Sequence, residues 1–158
     1  MTLWQRRTLG ILTLGGGAVG VTVTLTALLA TASVLTWIII IAFAAIYAWG
    51  TWIGLQLIES QPKAEHSALT YWILQVPVLG SPVVSYQFAN GFLAIASLQL
   101  APVKLNGHAM IGSQFNFALL QLQSPWLVGV NLFALGVCWW LARCIKAQPQ
   151  RPPAEPAA

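Results

Sequence analysis

The chain has 158 residues, of which 58% are hydrophobic and 6% are charged, against about 25% charged in an ordinary soluble domain. Its acids are Glu59, Glu65 and Glu155, with no Asp, and its net charge is +4. These totals exclude an ordinary soluble globule, a disordered chain and a disulfide scaffold, and they leave few groups able to move a proton, hold a metal or attack a carbonyl.

The lead carries Trp4, Arg6 and Arg7. From Leu9 to Ala32 there is no charge, a length that crosses a bilayer as a helix. The stretch Val21-Thr22-Val23-Thr24-Leu25-Thr26 alternates like a strand. An isolated strand in lipid leaves its backbone groups unpaired, so a helix is predicted. An alternative makes residues 1–32 a cleavable signal peptide, with Arg6-Arg7 before the apolar run and Ala30-Thr31-Ala32 as an A-x-A site. The adjacent arginines also fit twin-Arg export. The run is longer than the usual signal core of about 7–15 residues, and another apolar run follows at once, which favours a retained helix.

Val34 to Ile58 is the clearest transmembrane helix, ending in Tyr47, Trp49 and Trp52. Such aromatic ends suit the membrane interface. A polar cluster from Glu59 to His66 stops it. Gly16 and Gly20 form a G-x-x-x-G pair in the first helix, and Gly50 and Gly54 form one in the second. Measured from a turn near residue 32, Gly16 and Gly50 lie at similar depth, so the glycine faces are candidates for close helix packing.

Residues 67–124 contain Pro77, Pro82 and Pro102 and several amide side chains, including Gln87, Asn90 and Gln99 in the best spanning window. Asn90-Gly91 and Asn106-Gly107 are hairpin signals. They divide the region into strands over 83–89, 92–105 and 108–123, with a further strand over 71–78. Tyr86, Phe88, Phe92, Phe115 and Phe117 suit strands. Polar–apolar alternation at Gln114–Phe117 and at Leu120–Gln123 agrees. This β-rich, membrane-proximal segment is expected outside the hydrocarbon core.

Residues 125–146 form the last apolar run, read as a C-terminal transmembrane helix with Pro125 in its first turn. Trp139, Trp140, Arg143 and Lys146 would sit in the headgroups. Asn131, the strongly polar residue of this run, is a candidate helix-packing contact, with Gly129 and Gly136 nearby. Residues 147–158, rich in Pro, Ala and Gln, read as a disordered tail.

The predicted fold is therefore a membrane α+β protein. It has three transmembrane helices, two of them in an N-terminal hairpin over 1–58, and a small antiparallel β-meander between helix 2 and the last helix. The alternative is a four-helix all-α membrane bundle. That version places six of the seven Lys/Arg inside and Lys104 alone outside, as the positive-inside rule prefers. The prolines and Asn-Gly turns favour the meander.

His66 and His108 are 42 residues apart and lack further metal-ligand spacing. Ser67 beside His66 has no acidic orienter. Cys138 and Cys144, six apart, point in different directions on a helix and predict no disulfide. Nucleotide, thiol-redox and zinc-hydrolase motifs are absent from the sequence. No cofactor, metal or catalytic residue is expected. The basic residues flank apolar runs rather than clustering on a soluble face, which excludes nucleic acid and names the lipid bilayer as partner. The expected protein is a multi-pass component of the cell (inner, cytoplasmic) membrane, non-catalytic, of accessory or assembly type. It would bind another membrane or envelope protein or self-associate. The alternative is a small oligomeric channel or permeation factor, with Thr22, Thr26, Gln87 and Asn90 as pore candidates. An intramembrane enzyme using His66 or Glu59 is disfavoured by the charge-free spans.

Overall fold

A computed structural model describes residues 1–31, 33–100, 102–119 and 125–147. The alternation at Leu120–Gln123 and the tail from residue 148 onward lie outside the described residues. The chain is α+β, with four helices and one six-stranded antiparallel sheet.

Helix α1 spans Leu3–Leu29 and α2 spans Val34–Ile58. Thr2 and Gln5 form a capping box that starts α1. Both helices are long and apolar enough to cross a membrane by length and composition. They run side by side. On α1, the close approach uses Gly10, Gly17 and Gly20. On α2 it uses Tyr47, Thr51 and Gly54, where a Cβ at any of the glycines would strike the partner helix.

Helix α3 follows over Ala64–Ile73. Six strands come next: β1 Pro77–Gly80, β2 Val84–Ala89, β3 Phe92–Leu100, β4 Val103–Ile111, β5 Gln114–Leu119 and β6 Leu127–Asn131. Helix α4 closes the described chain over Leu132–Lys146.

Three expectations are corrected here. The last apolar run is not a third transmembrane helix. Its first part is strand β6, and the 15-residue α4 that remains is about 22 Å long, short of a hydrocarbon core of about 30 Å. The sheet is not a meander either. Its order is β4-β3-β6-β1-β2-β5, so the last strand enters the middle and the candidate strand over 71–78 is helix up to Ile73. Nor does the all-α alternative hold, because residues 77–119 carry strands.

The two Asn-Gly sites also differ from expectation. Asn106-Gly107 lies inside β4, paired with Ser97 and Ala96, and the β3–β4 hairpin turns at Pro102 instead. Asn90-Gly91 is a turn, with Gly91 at φ +83. It joins strands that do not pair, since β2 bonds to β1 and β5, and β3 bonds to β4 and β6.

That connection bends the sheet. In a flat sheet β2 and β3 would lie three strand spacings apart, about 14 Å. The two-residue link Asn90-Gly91 reaches only about 10 Å. Gly112-Ser113 makes the same demand more strongly, because it joins β4 and β5, the two edges. The sheet must therefore curl until its edges converge at that end. The Gly112 N–H donates to the Gly91 carbonyl at 3.0 Å, locking the two links together. Val78, Ala89, Leu93 and Ile95 pack together on the inner face of the curl with Met110 and Leu127.

Candidate functional site

Pairing register and strand alternation assign each residue to one face. Ser97 pairs with Asn106 and Gly129, Gln99 with Lys104, Ile95 with His108 and Asn131, Gln87 with Asn116, and Ala89 with Gln114. Every Ser, Asn, Gln, Lys and His of the strands therefore falls on the inner face: Ser85, Gln87, Ser97, Gln99, Lys104, Asn106, His108, Gln114, Asn116 and Asn131. The outer face carries apolar residues and Tyr86. Lys104, Asn106, His108 and Asn116 on the polar face are exposed, and the other face presents an apolar surface.

Helices cover part of the outer face. Phe43 of α2 stacks on Phe115 at 4.9 Å between ring centroids and touches Tyr86, Phe88 and Phe117. Phe133 of α4 meets Phe92 at 4.8 Å. The rest is bare, including Leu79, Leu98, Leu105, Ile111 and Val128. This apolar surface continues over Ile11, Val19, Leu25, Ile38, Ile41 and Leu55 of the helices. Only 28% and 33% of the apolar windows of α1 and α2 are buried in the protein, far less than in the core helix of a soluble protein.

The closed end of the curl is docked on the middle of α1 by a buried polar clasp. Asn90 Nδ2 donates to the Thr13 carbonyl at 3.0 Å, and Asn90 N donates to Gln75 Oε1 at 2.9 Å. Ser113 Oγ donates to the Gly16 carbonyl at 2.5 Å and accepts from Gly91 N at 3.2 Å. Trp72 Nε1 donates to Thr13 Oγ1 at 3.3 Å, and the Tyr47 hydroxyl donates to the Ala89 carbonyl at 3.1 Å.

Charge collects at one end. Arg6 donates to the Gln61 carbonyl at 2.5 Å and lies 3.9 Å from the Glu65 carboxylate. With Pro62, Lys63, Glu65 and His66 it lines a cavity of about 210 Å³. Helix α4 ends beside the start of α1, since Trp140 lies with Trp4, Gln5 and Thr8, and Leu141 joins Leu9 and Ala64 in the core. Arg143, stacked 3.8 Å over Trp139, and Lys146 thus join Arg6, Arg7 and Lys63 at this end. Trp4, Trp52 and Trp139 are exposed. The described residues of the turn between α1 and α2, at the opposite end, carry no charge, and Lys104 lies apart from the other cations at the open end of the sheet.

The residues singled out from sequence scatter over these features. Gly20 and Gly54 lie between α1 and α2. Gly16 faces the Asn90-Gly91 clasp, and Gly50 faces Tyr71 of α3. Asn131 caps α4: its Oδ1 accepts from Ala134 N at 3.4 Å and from Ala94 N at 3.2 Å. The four pore candidates share no stripe. Thr22 and Thr26 are exposed on α1 and bond back to helix carbonyls, Gln87 is on the inner face of the sheet, and Asn90 is in the clasp. His66 and His108 sit on α3 and β4. Gln75 and Ser113 carry the clasp unnoticed by sequence reasoning. The Gly112-Ser113 pair was the available signal.

Burial raises the Tyr71 phenol well above its usual range, with nearby Tyr47 adding to the shift, and burial raises Tyr86 as well. Neither is a base at neutral pH. Among the described residues no three His, Cys, Asp or Glu side chains converge. The arrangement offers hydrogen-bonding groups and Lys104 on the inner face, apolar contact outside and the other described cations at one end. Comparison with protein families, with curated proteins and with solved structures finds no match.

Proposed function

We propose that this chain is a small integral membrane protein of non-catalytic assembly type, held in the cell membrane by α1 and α2, that binds another membrane or envelope protein. One observation carries the reading: the polar strand side chains all turn inward, while the outer sheet face and both long helices present one apolar surface. Such a surface is stable only against lipid or another apolar surface. The basic end supplies an orientation, since Arg6, Arg7, Lys63, Arg143 and Lys146 fit the anionic cytoplasmic headgroups. The exposed Trp4, Trp52 and Trp139 suit the same interface.

The test is extraction followed by capture. Membranes washed in alkaline carbonate should retain the protein. Mild-detergent solubilisation followed by crosslinking should then recover a fixed partner in stoichiometric amount. Release into the carbonate supernatant would overturn the membrane reading, and a solitary chain after crosslinking would overturn the assembly reading.

A second reading, a permeation factor, is favoured by polar atoms of the inner face that lack a partner among the described residues. These are Ser85 Oγ, Gln114 Oε1 and Asn131 Nδ2. Buried polar atoms of this kind are normally hydrogen-bonded, commonly by water. Liposomes containing the pure protein should then leak a small polar solute faster than empty ones, and equal rates would end the idea.

A further inference from the structure

We infer that β4 is the interface between two copies of this chain, joined edge to edge as antiparallel strands about a twofold axis at Gly107.

β4 is an edge strand, bonded to β3 alone among the described residues. It runs nine residues, and its register with β3 is unbroken from Phe92↔Ile111 to Leu100↔Val103. Edges of this kind are normally blunted by proline, bulges, inward charges or shortness. β4 has no proline and no break in its register, and of these devices it carries one inward charge, Lys104, near its first residue. Its apolar side chains are among the most exposed of the molecule: Val103 75%, Leu105 81% and Ile111 83%. The other edge, β5, is six residues long and lies along a groove with Ile39 and Ile40 of α2.

The direction of the free backbone groups is fixed by bonds on either side of β3. Leu100 N donates to Trp126 and Ala94 N to Asn131, so the even residues of β3 turn toward β6. Gly112 N donates to Gly91, so the even residues of β4 turn toward β3. The odd residues Val103, Leu105, Gly107, Ala109 and Ile111 therefore direct their N–H and C=O groups outward.

A second β4 satisfies all of them in one register. Gly107 is the midpoint of the strand. A twofold axis there pairs Gly107 with itself, Leu105 with Ala109 and Val103 with Ile111, each through outward groups. The outer face then sets apolar side chains against apolar ones. On the inner face Asn106 meets His108, a donor–acceptor pair. Lys104 meets Met110, so the two cations end up at opposite ends of the ladder. An axis perpendicular to the sheet also keeps both apolar outer faces on the same side.

Cysteine pairing tests the register in a Cys138→Ser, Cys144→Ser chain. Asn106 and His108 face each other across the axis as a non-hydrogen-bonded pair, the closer kind. Mixing an Asn106→Cys chain with a His108→Cys chain under mild oxidation should give a covalent species of twice the 17.0 kDa mass. Neither variant alone should do so, because each would face its own copy across a diagonal too long for a disulfide. Ala109→Pro removes an outward N–H and no bond to β3, so it should halve the native mass while leaving the far-ultraviolet spectrum unchanged. Crosslinking of either single variant as efficient as that of the mixture would overturn this register. No crosslinking in any combination, or crosslinks only to a different protein, would overturn the pairing.

Discussion

The carboxamide of Asn90 donates to the main-chain carbonyl of Thr13 at 3.0 Å, across 77 positions of sequence. This bond places the convergent end of the sheet at the midpoint of α1. Beside it, Ser113 holds the Gly16 carbonyl. Asn90→Ala and Ser113→Ala should each lower stability by about 1–2 kcal/mol, as for the loss of a buried hydrogen bond. The double variant should lose less than the sum, since both side chains hold one clasp. Denaturant titration in a fixed detergent measures all three, and strict additivity would count against a shared clasp.

Two glycines of α1 should respond in opposite directions to the same substitution. A Cβ at Gly20 would collide with the Tyr47 ring, which is held by Phe88 and by its bond to Ala89. Gly20→Ala should therefore cost about 1–3 kcal/mol. A Cβ at Gly15 meets nothing within 4 Å among the described residues. Gly15→Ala should gain up to about 1 kcal/mol from helix propensity. Thermal melts of the two variants against the parent give the sign of each.

Asn131→Ala removes the acceptor shared by Ala94 and Ala134. A lost cap of this type costs about 1 kcal/mol, and the second bond makes the effect larger. Asn131→Ser should restore the cap to α4 without reaching Ala94 and so recover part of the loss. If Ser is no better than Ala, the capping role fails. Melting midpoints decide it.

Burial pushes the Cys138 thiol up to about 11, against about 8.5 for an ordinary thiol. In a Cys144→Ser chain at pH 7.5, alkylation of Cys138 should therefore speed up at least about a hundredfold on unfolding, because thiolate is the reactive form. The raised value also sets the sign of the pH dependence. The unfolded thiol ionises first, so this residue's contribution to stability is complete below about pH 8.5 and falls as pH rises toward 11. Rates with and without denaturant across that range provide the check.

The hairpin of α1 and α2 was legible because a charge-free run of that length has few alternatives. The presence of a sheet was legible from Pro77, Pro82, Pro102 and the alternation around Phe115. The order of its strands was not. Asn106-Gly107 carries turn chemistry, yet nine pairs with β3 override it. In 127–146, Asn131 is the strongly polar residue of an otherwise apolar run before Arg143, and periodicity there does not separate buried strand from helix, so the cap of α4 has the sequence pattern of a helix-packing contact. Likewise Gly16 was visible as a small residue, but its neighbour, the clasp, is set by long-range curl.

The position of β6 has a consequence for synthesis. It lies between β3 and β1 and bonds to both. Until residues 127–131 leave the ribosome, the sheet can exist only as two separate parts, β4-β3 and β1-β2-β5. The hairpin of α1 and α2 can form long before, but the strands it must receive stay exposed until the last of them arrives. A nascent chain stalled before residue 127 would be a protease-sensitive species with two open sheet halves, and release of one further strand would seal it.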